Sequence, residues 1–174
     1  MGTRSVIGVY HGGNAKAVYC HWDGYLDHNG RILLDHYDSS KANHLVALGD
    51  LSSLGTTIGS KHTFSPFVTE DEEFKALTEE EQNRIKAETE AAYEAAKEAG
   101  WCTFYNRDRG ETGCDFKTLT TWDDFLEFYD GCGAEYAYLM KDGVWYVKQG
   151  SDDLEFLADA LATEDIQQNL VAQK

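Results

Sequence analysis

Six histidines and four cysteines are the side chains of this 174-residue chain best suited to chemistry, and every histidine falls within the first 62 residues. The densest grouping is Cys20-His21-Trp22-Asp23, with Asp27 and His28 close behind. These are metal-ligand types, but a divalent ion needs three or four convergent donors, and spacings such as H-E-x-x-H or paired C-x-x-C are absent. On a strand, Cys20 and Trp22 would face one side and His21 and Asp23 the other. No metal or cofactor is therefore expected. His36, beside Leu33 and Tyr37, reads as a core histidine. Cys20, Cys102, Cys114 and Cys132 match no small disulfide framework and read as reduced thiols. None sits in a nucleophile elbow such as G-x-S-x-G, and Ser52-Ser53 follows a helix stop in what reads as a turn. No catalytic residue is assigned, which leans away from an enzyme. Gly12-Gly13 joins two strands rather than a strand and a helix, so it is hairpin chemistry and not a phosphate cradle. The remaining candidate is Arg107-Asp108-Arg109-Gly110-Glu111. Arg107 and Arg109 have the fork geometry that holds a phosphate or carboxylate, with His21 and Tyr25 as companions if the first strands lie beside residues 101–105.

Charge points elsewhere. The chain carries 15 basic and 31 acidic side chains, a net charge of −16. Residues 1–69 are neutral overall, so the net negative charge falls entirely in the later three fifths. Direct binding to nucleic acid or to an anionic membrane needs a cationic footprint, which is missing. A partner protein with a basic surface fits better, because spaced carboxylates imitate phosphates electrostatically and a field of one sign speeds encounter with its opposite. The acidic positions that would make such a contact are Glu79, Glu80, Glu81, Glu88, Glu90, Glu94, Glu98, Asp123 and Asp124.

The elements that position these residues follow from periodicity. Arg4–Val9 and Ala17–Trp22 are β-branched and aromatic runs around a Gly-Gly reversal, a hairpin. Arg31–Tyr37 and Lys41–Leu48 have helical spacing, and Gly49 stops the second. Gly55–Phe67 reads as loop, with a short strand around Thr56–Ile58. Thr78-Glu79-Glu80-Glu81 is a capping box that predicts a helix over 79–99, with Ile85, Ala92, Ala96 and Ala99 as its thin apolar stripe. Trp101–Tyr105 reads as a strand, Thr121–Asp124 opens a helix with Trp122 facing inward, and Asp142-Gly143 joins two further strands. Ser151-Asp152-Asp153 predicts the cap of a last helix through Leu161. The sum is one α+β domain over 1–174: an antiparallel sheet of two hairpins plus a strand, helices packed on it, and an acidic helical insertion at about 69–99. No apolar run is long enough to span a bilayer, and MGTRSVIGVY lacks the order of a signal peptide, so the cytosol is the expected compartment.

The segments GTRSVI, YCHWDGYLDHNGRILLDHY, ALGDLSSLG, FYNRDRGE and EYAYLMKDGVWYV carry a resemblance to a largely uncharacterised family of small phage- and prophage-encoded proteins. It covers roughly residues 2–64 and 101–149, and the acidic helix departs from it. What the resemblance implies is a phage accessory protein in the host cytoplasm, with no activity attached. Together with the charge, it makes binding of a host protein, for takeover or anti-defence, the first expectation. A small-ligand or nucleotide binder, or an enzyme, using the His-rich half and the Arg107/Arg109 turn is the alternative.

Overall fold

The computed structural model describes residues 2–62 and 72–172. Residues 63–67 of the expected loop and 69–71 of the expected insertion lie outside that set. An α+β architecture is observed. The centre is the hairpin of β1 (Ser5–His11) and β2 (Asn14–Cys20), seven residues each, closed by Gly12 at φ 61° and Gly13 at φ 86°. These left-handed values are what the Gly-Gly pair supplies without steric cost. The second hairpin, β6 (Tyr136–Lys141) and β7 (Val144–Gln149), turns at Asp142-Gly143 as expected.

The expected antiparallel sheet is in part parallel. β1 pairs β6 in parallel register, Ser5 opposite Tyr136 through Tyr10 opposite Lys141. β2 pairs β3 (Leu51–Ser53) in parallel and β5 (Lys117–Leu119) antiparallel. With β4 (Thr103–Phe104) on β3 and β8 (Glu155–Phe156) on β7, the order is β4-β3-β2-β1-β6-β7-β8, β5 lying off β2. Ser52-Ser53 is thus strand rather than turn. The parallel β1–β6 contact is fixed by both faces of the sheet being covered, the setting that parallel pairs require.

Alternation along β1 shows this. Ile7 and Val9 enter a large apolar cluster with Val18, Cys20, Leu33, Leu45, Val46, Tyr138 and Val147. Val6 points the other way, to Phe125, Tyr129, Ala137 and Leu139. The first face is covered by α1 (Arg31–His36), α2 (Ser39–Ala47) and α7 (Leu157–Ala172), the second by α6 (Trp122–Gly131). Two buried donors are satisfied across this core. The Tyr138 hydroxyl donates to the Gly24 carbonyl at 2.6 Å and the Trp145 indole to the Tyr37 carbonyl at 2.9 Å.

Three expectations about single elements fail. His36 is exposed, because α1 ends there and Tyr37 takes the inward position. Trp122 is 45% exposed, its ring stacked on Phe125 at 5.1 Å. The last helix begins at Leu157 rather than after Asp153, since β8 intervenes, and it runs on to Ala172.

The acidic helix α4 (Glu79–Glu98) starts at its capping box and follows a short helix, α3 (Glu72–Lys75). Its inner stripe is Gln82, Ile85, Thr89, Tyr93 and Ala96, while Ala92 and Ala99 are exposed. Tyr93 rather than alanine is the large residue on the stripe. α4 is joined to the sheet at its C-terminal end, where the Trp101 amide donates to the Ala96 carbonyl and the Thr57 amide to the Gly100 carbonyl.

Candidate functional site

The segment after β2 carries a tightly constrained backbone. Asp23 has φ 56°, a left-handed value uncommon outside glycine. At Gly24 any Cβ would lie 2.8 Å from the Ser5 Cβ and from the Thr3 carbonyl oxygen, so only glycine fits. The chain then enters a π-helical turn, Leu26–Gly30, a geometry frequent at functional sites. Within it Asn29 is fully buried. Its Nδ2 donates toward the Trp22 carbonyl at 3.4 Å, the Ser5 hydroxyl at 3.3 Å and the Cys20 sulfur at 3.5 Å. Its Oδ1 faces His28 Nδ1 at 2.8 Å.

This turn forms one wall of a cleft of about 470 Å³. Trp22, Asp23 and His28 face Ser53, Thr56, His62 and Trp101 across it, and Tyr93 and Lys97 of α4 close one side. In a chain of net charge −16 the lining holds one carboxylate, Asp23, against Lys97 and two histidines. Three aromatic residues and a few polar groups around a cavity of this size are the ordinary composition of a small-ligand site. A larger groove of about 1140 Å³ runs between the α1–α2 junction and β7, past Leu34, Val144 and Phe156. Its lysine, Lys41, is already engaged with the His36 and Thr56 carbonyls and lies over the Tyr37 ring. The smaller cleft therefore has the better chemistry.

Behind the cleft sits a second polar cluster with a different character. Arg107, on α5 (Tyr105–Arg109), donates from Nε and Nη2 to Asp108, from Nη1 to the Ile58 and Gly59 carbonyls, and from Nη2 to the Cys102 carbonyl, all at 3.0–3.1 Å. Every one of its N–H groups is thereby used. Asp108 also accepts from the Phe104 amide at 2.7 Å and the His62 amide at 3.0 Å. His62 Nε2 lies 2.8 Å from the Cys102 carbonyl, which only accepts, so that nitrogen carries its proton.

The four anion-binding candidates are not gathered, and none lines the cleft. Arg107 is turned inward and spent. Arg109 pairs with Glu111 at 3.3 Å. His21 Nδ1 meets the Tyr19 hydroxyl at 2.5 Å, and partial burial, reinforced by the Arg4 guanidinium, pushes its pKa down. Tyr25 lies beside His28, ring centroids 5.9 Å apart. The expectation assumed a surface turn at 107–111; residues 105–109 are helical instead, which sends Arg107 into the protein. The acidic candidates Glu79, Glu80, Glu81, Glu88, Glu90, Glu94, Glu98 and Asp123 are all exposed. Two of the nine proposed contacts are engaged locally: Glu81 closes the Thr78 capping box and Asp124 that of Thr121.

Burial decides the thiol chemistry. The Cys20 thiol is pushed up to about 12 and the Cys132 thiol to about 11, both chiefly by desolvation, so neither is a ready nucleophile or ligand. Among the described residues no group of three or more His, Cys, Asp or Glu side chains converges on a metal position. No described helix is long and apolar enough to cross a membrane.

The sequence reading missed the cleft because it is assembled from four separate segments. One local signal was available, the D-G pair after Trp22, which marks a backbone position with positive φ next to an aromatic residue and two histidines. No protein-family model matches the chain, and no curated protein or solved structure matches it either.

Proposed function

We propose that the protein binds a small molecule combining a flat ring with an anionic group, a nucleotide being the commonest ligand of that kind, in the cleft between Trp22 and Trp101. The observation that carries this reading is the composition of the lining: Trp22, Trp101 and Tyr93 supply ring faces, Lys97 supplies a cationic donor, and His28 presents a polar ring edge, in a hollow with a single carboxylate in an acidic protein. Trp22 lines the cleft and is 45% exposed, so part of its ring is open to a stacking ligand. The test is titration with the four nucleoside monophosphates and inorganic phosphate, followed by the indole N–H resonances of Trp22 and Trp101. Saturable shifts of both indoles with a nucleotide support the reading. Unmoved indoles across the whole series overturn it.

A second reading rests on a separate observation, the exposure of Glu79, Glu80, Glu88, Glu90, Glu94 and Glu98 along α4. In it the chain is a phage accessory protein whose acidic arm docks a basic host surface in the host cytoplasm. Such attraction is screened at a Debye length of about 8 Å in physiological salt, so capture of a host partner should weaken as salt rises. Capture that is indifferent to salt would overturn it.

A further inference from the structure

The pair His28–Asn29 has a property that aromatic lining alone does not confer. Asn29 is fully buried, and its amide orientation is fixed by the Trp22 carbonyl, which can only accept and so faces Nδ2 at 3.4 Å. The oxygen of the same amide therefore points at His28 Nδ1, 2.8 Å away. An amide oxygen only accepts, so in the neutral ring the proton must reside on Nδ1. This is the minority tautomer of a free histidine side chain. Nε2, on the far edge of the ring, is left as a bare lone pair. Among the described residues nothing hydrogen-bonds it, and His28 lines the cleft.

The strained backbone is the means of holding this arrangement. The Asn29 amide donates to the carbonyl of Asp23 at 3.2 Å, which ties the π-helical turn to the residue at φ 56°. Strain at such a position persists only where the surroundings over-determine it. Here the surroundings are Gly24, wedged against Ser5, and Asn29, bonded to the same serine.

We propose that His28 is the proton acceptor of the cleft, held as its Nδ1–H tautomer by Asn29 as a positioning residue, and that the ligand presents a ring N–H or an O–H donor to His28 Nε2. The proposal rests on the cleft being the working site and specifies which edge of the ligand is read. A ligand with acceptors alone at that edge is refused, because two lone pairs would meet across a desolvated gap.

The experiment has two arms. In the first, long-range proton–nitrogen correlation on the 15N-labelled, ligand-free protein at neutral pH reads the His28 tautomer. The expected result is a protonated Nδ1 and a bare Nε2. Asn29→Ser, which shortens the acceptor, should then move the ring toward the Nε2–H form. A wild-type His28 with its proton on Nε2 overturns the proposal, and that measurement needs no variant to fold. In the second arm the probes are uridine 5′-monophosphate, whose single ring donor is N3–H, and its 3-methyl derivative. The expected result is that the first moves the His28 Nε2 signal and binds at least tenfold more tightly than the second. Indole shifts from both probes with equal affinity and an unmoved Nε2 overturn the proposal. Silence of the Trp22 and Trp101 indoles with every nucleotide is instead the failure of the cleft reading, and the tautomer in the first arm still decides the His28–Asn29 assignment.

Discussion

The Arg107–Asp108–His62 cluster and the His28–Asn29 pair are both polar groups anchored in the protein interior, yet they serve opposite ends. Around Asp108 two backbone amides and the guanidinium converge on one carboxylate, and Arg107 spends its remaining donors on three backbone carbonyls. The guanidinium also lies over the Phe104 ring at 4.7 Å. Donors and acceptors there cancel, and what remains is a staple that fastens the 58–62 loop to β4 and α5. Around Asn29 the donors are likewise used, but the chain of bonds ends on a ring whose outer nitrogen has no partner among the described residues. The lesson is that residue type does not separate structure from function: two arginines looked like an anion site, and His28 looked like no more than part of a rejected metal cluster. Saturation does separate them, because a group whose hydrogen-bond capacity is filled by its own chain has none to offer a ligand.

Breaking the staple should give the largest effect. Asp108→Ala strands the Arg107 guanidinium and two buried amides, and removing one partner of a buried ion pair costs about 3–5 kcal/mol. In a chain of this length that is on the order of 10 °C in melting temperature, measurable by calorimetry. Arg109→Ala, which loses only the exposed pair with Glu111, should move it by less than about 2 °C. Equal losses from the two would mean that Asp108 is not the keystone assigned here.

The cleft should answer in the opposite currency. Trp22→Ala should leave the melting temperature nearly unchanged while weakening nucleotide binding about tenfold, since stacking on an aromatic face contributes about 1–3 kcal/mol per base. Calorimetric titration of wild type and variant checks this. A variant that binds as well as wild type would remove Trp22 from the site.

The acidic arm lies between these extremes. Replacing residues 72–98 by a Gly/Ser linker removes a stripe that buries Phe74 and Ala96 and half-buries Tyr93, against a core of more than twenty buried apolar residues. The expected loss is a few degrees, by the usual scaling of stability with apolar area. Ligand affinity should fall as well, because Tyr93 and Lys97 leave with the arm. Loss of cooperative unfolding would place α4 in the core instead.

The smallest effect concerns the two capping boxes. Glu81 is held below the usual carboxylate range by the Thr78 amide, and Asp124 by the Thr120 hydroxyl and then Thr121. A carboxylate with a depressed folded pKa stabilises the native state above its unfolded pKa, and that stabilisation is lost as pH falls through the folded value. Helix content should accordingly decline slightly as pH is taken below the ordinary carboxylate range. Glu81→Gln with Asp124→Asn should flatten that slope in circular dichroism without changing the spectrum at neutral pH.

Much of this molecule was readable from local sequence. The β1–β2 and β6–β7 hairpins, helices α1 and α2, and both capping boxes follow from turn chemistry, periodicity and cap residues, all of which act within about four residues along the chain. The α+β class followed from their sum. What sequence could not set was everything that depends on approach between distant segments. The parallel partnership of β1 with β6 joins residues about 130 positions apart in the chain and is chosen by burial on both sheet faces. The inward turn of Arg107 is chosen by free carbonyls at Ile58, Gly59 and Cys102 that no local pattern announces. The proton position on His28 is chosen by Asn29, whose own orientation is fixed by Trp22 and Ser5. Local rules determine which elements form, because their energies are decided by neighbours in the chain. The site was decided by tertiary structure alone, because hydrogen-bond saturation is a property of neighbours in space.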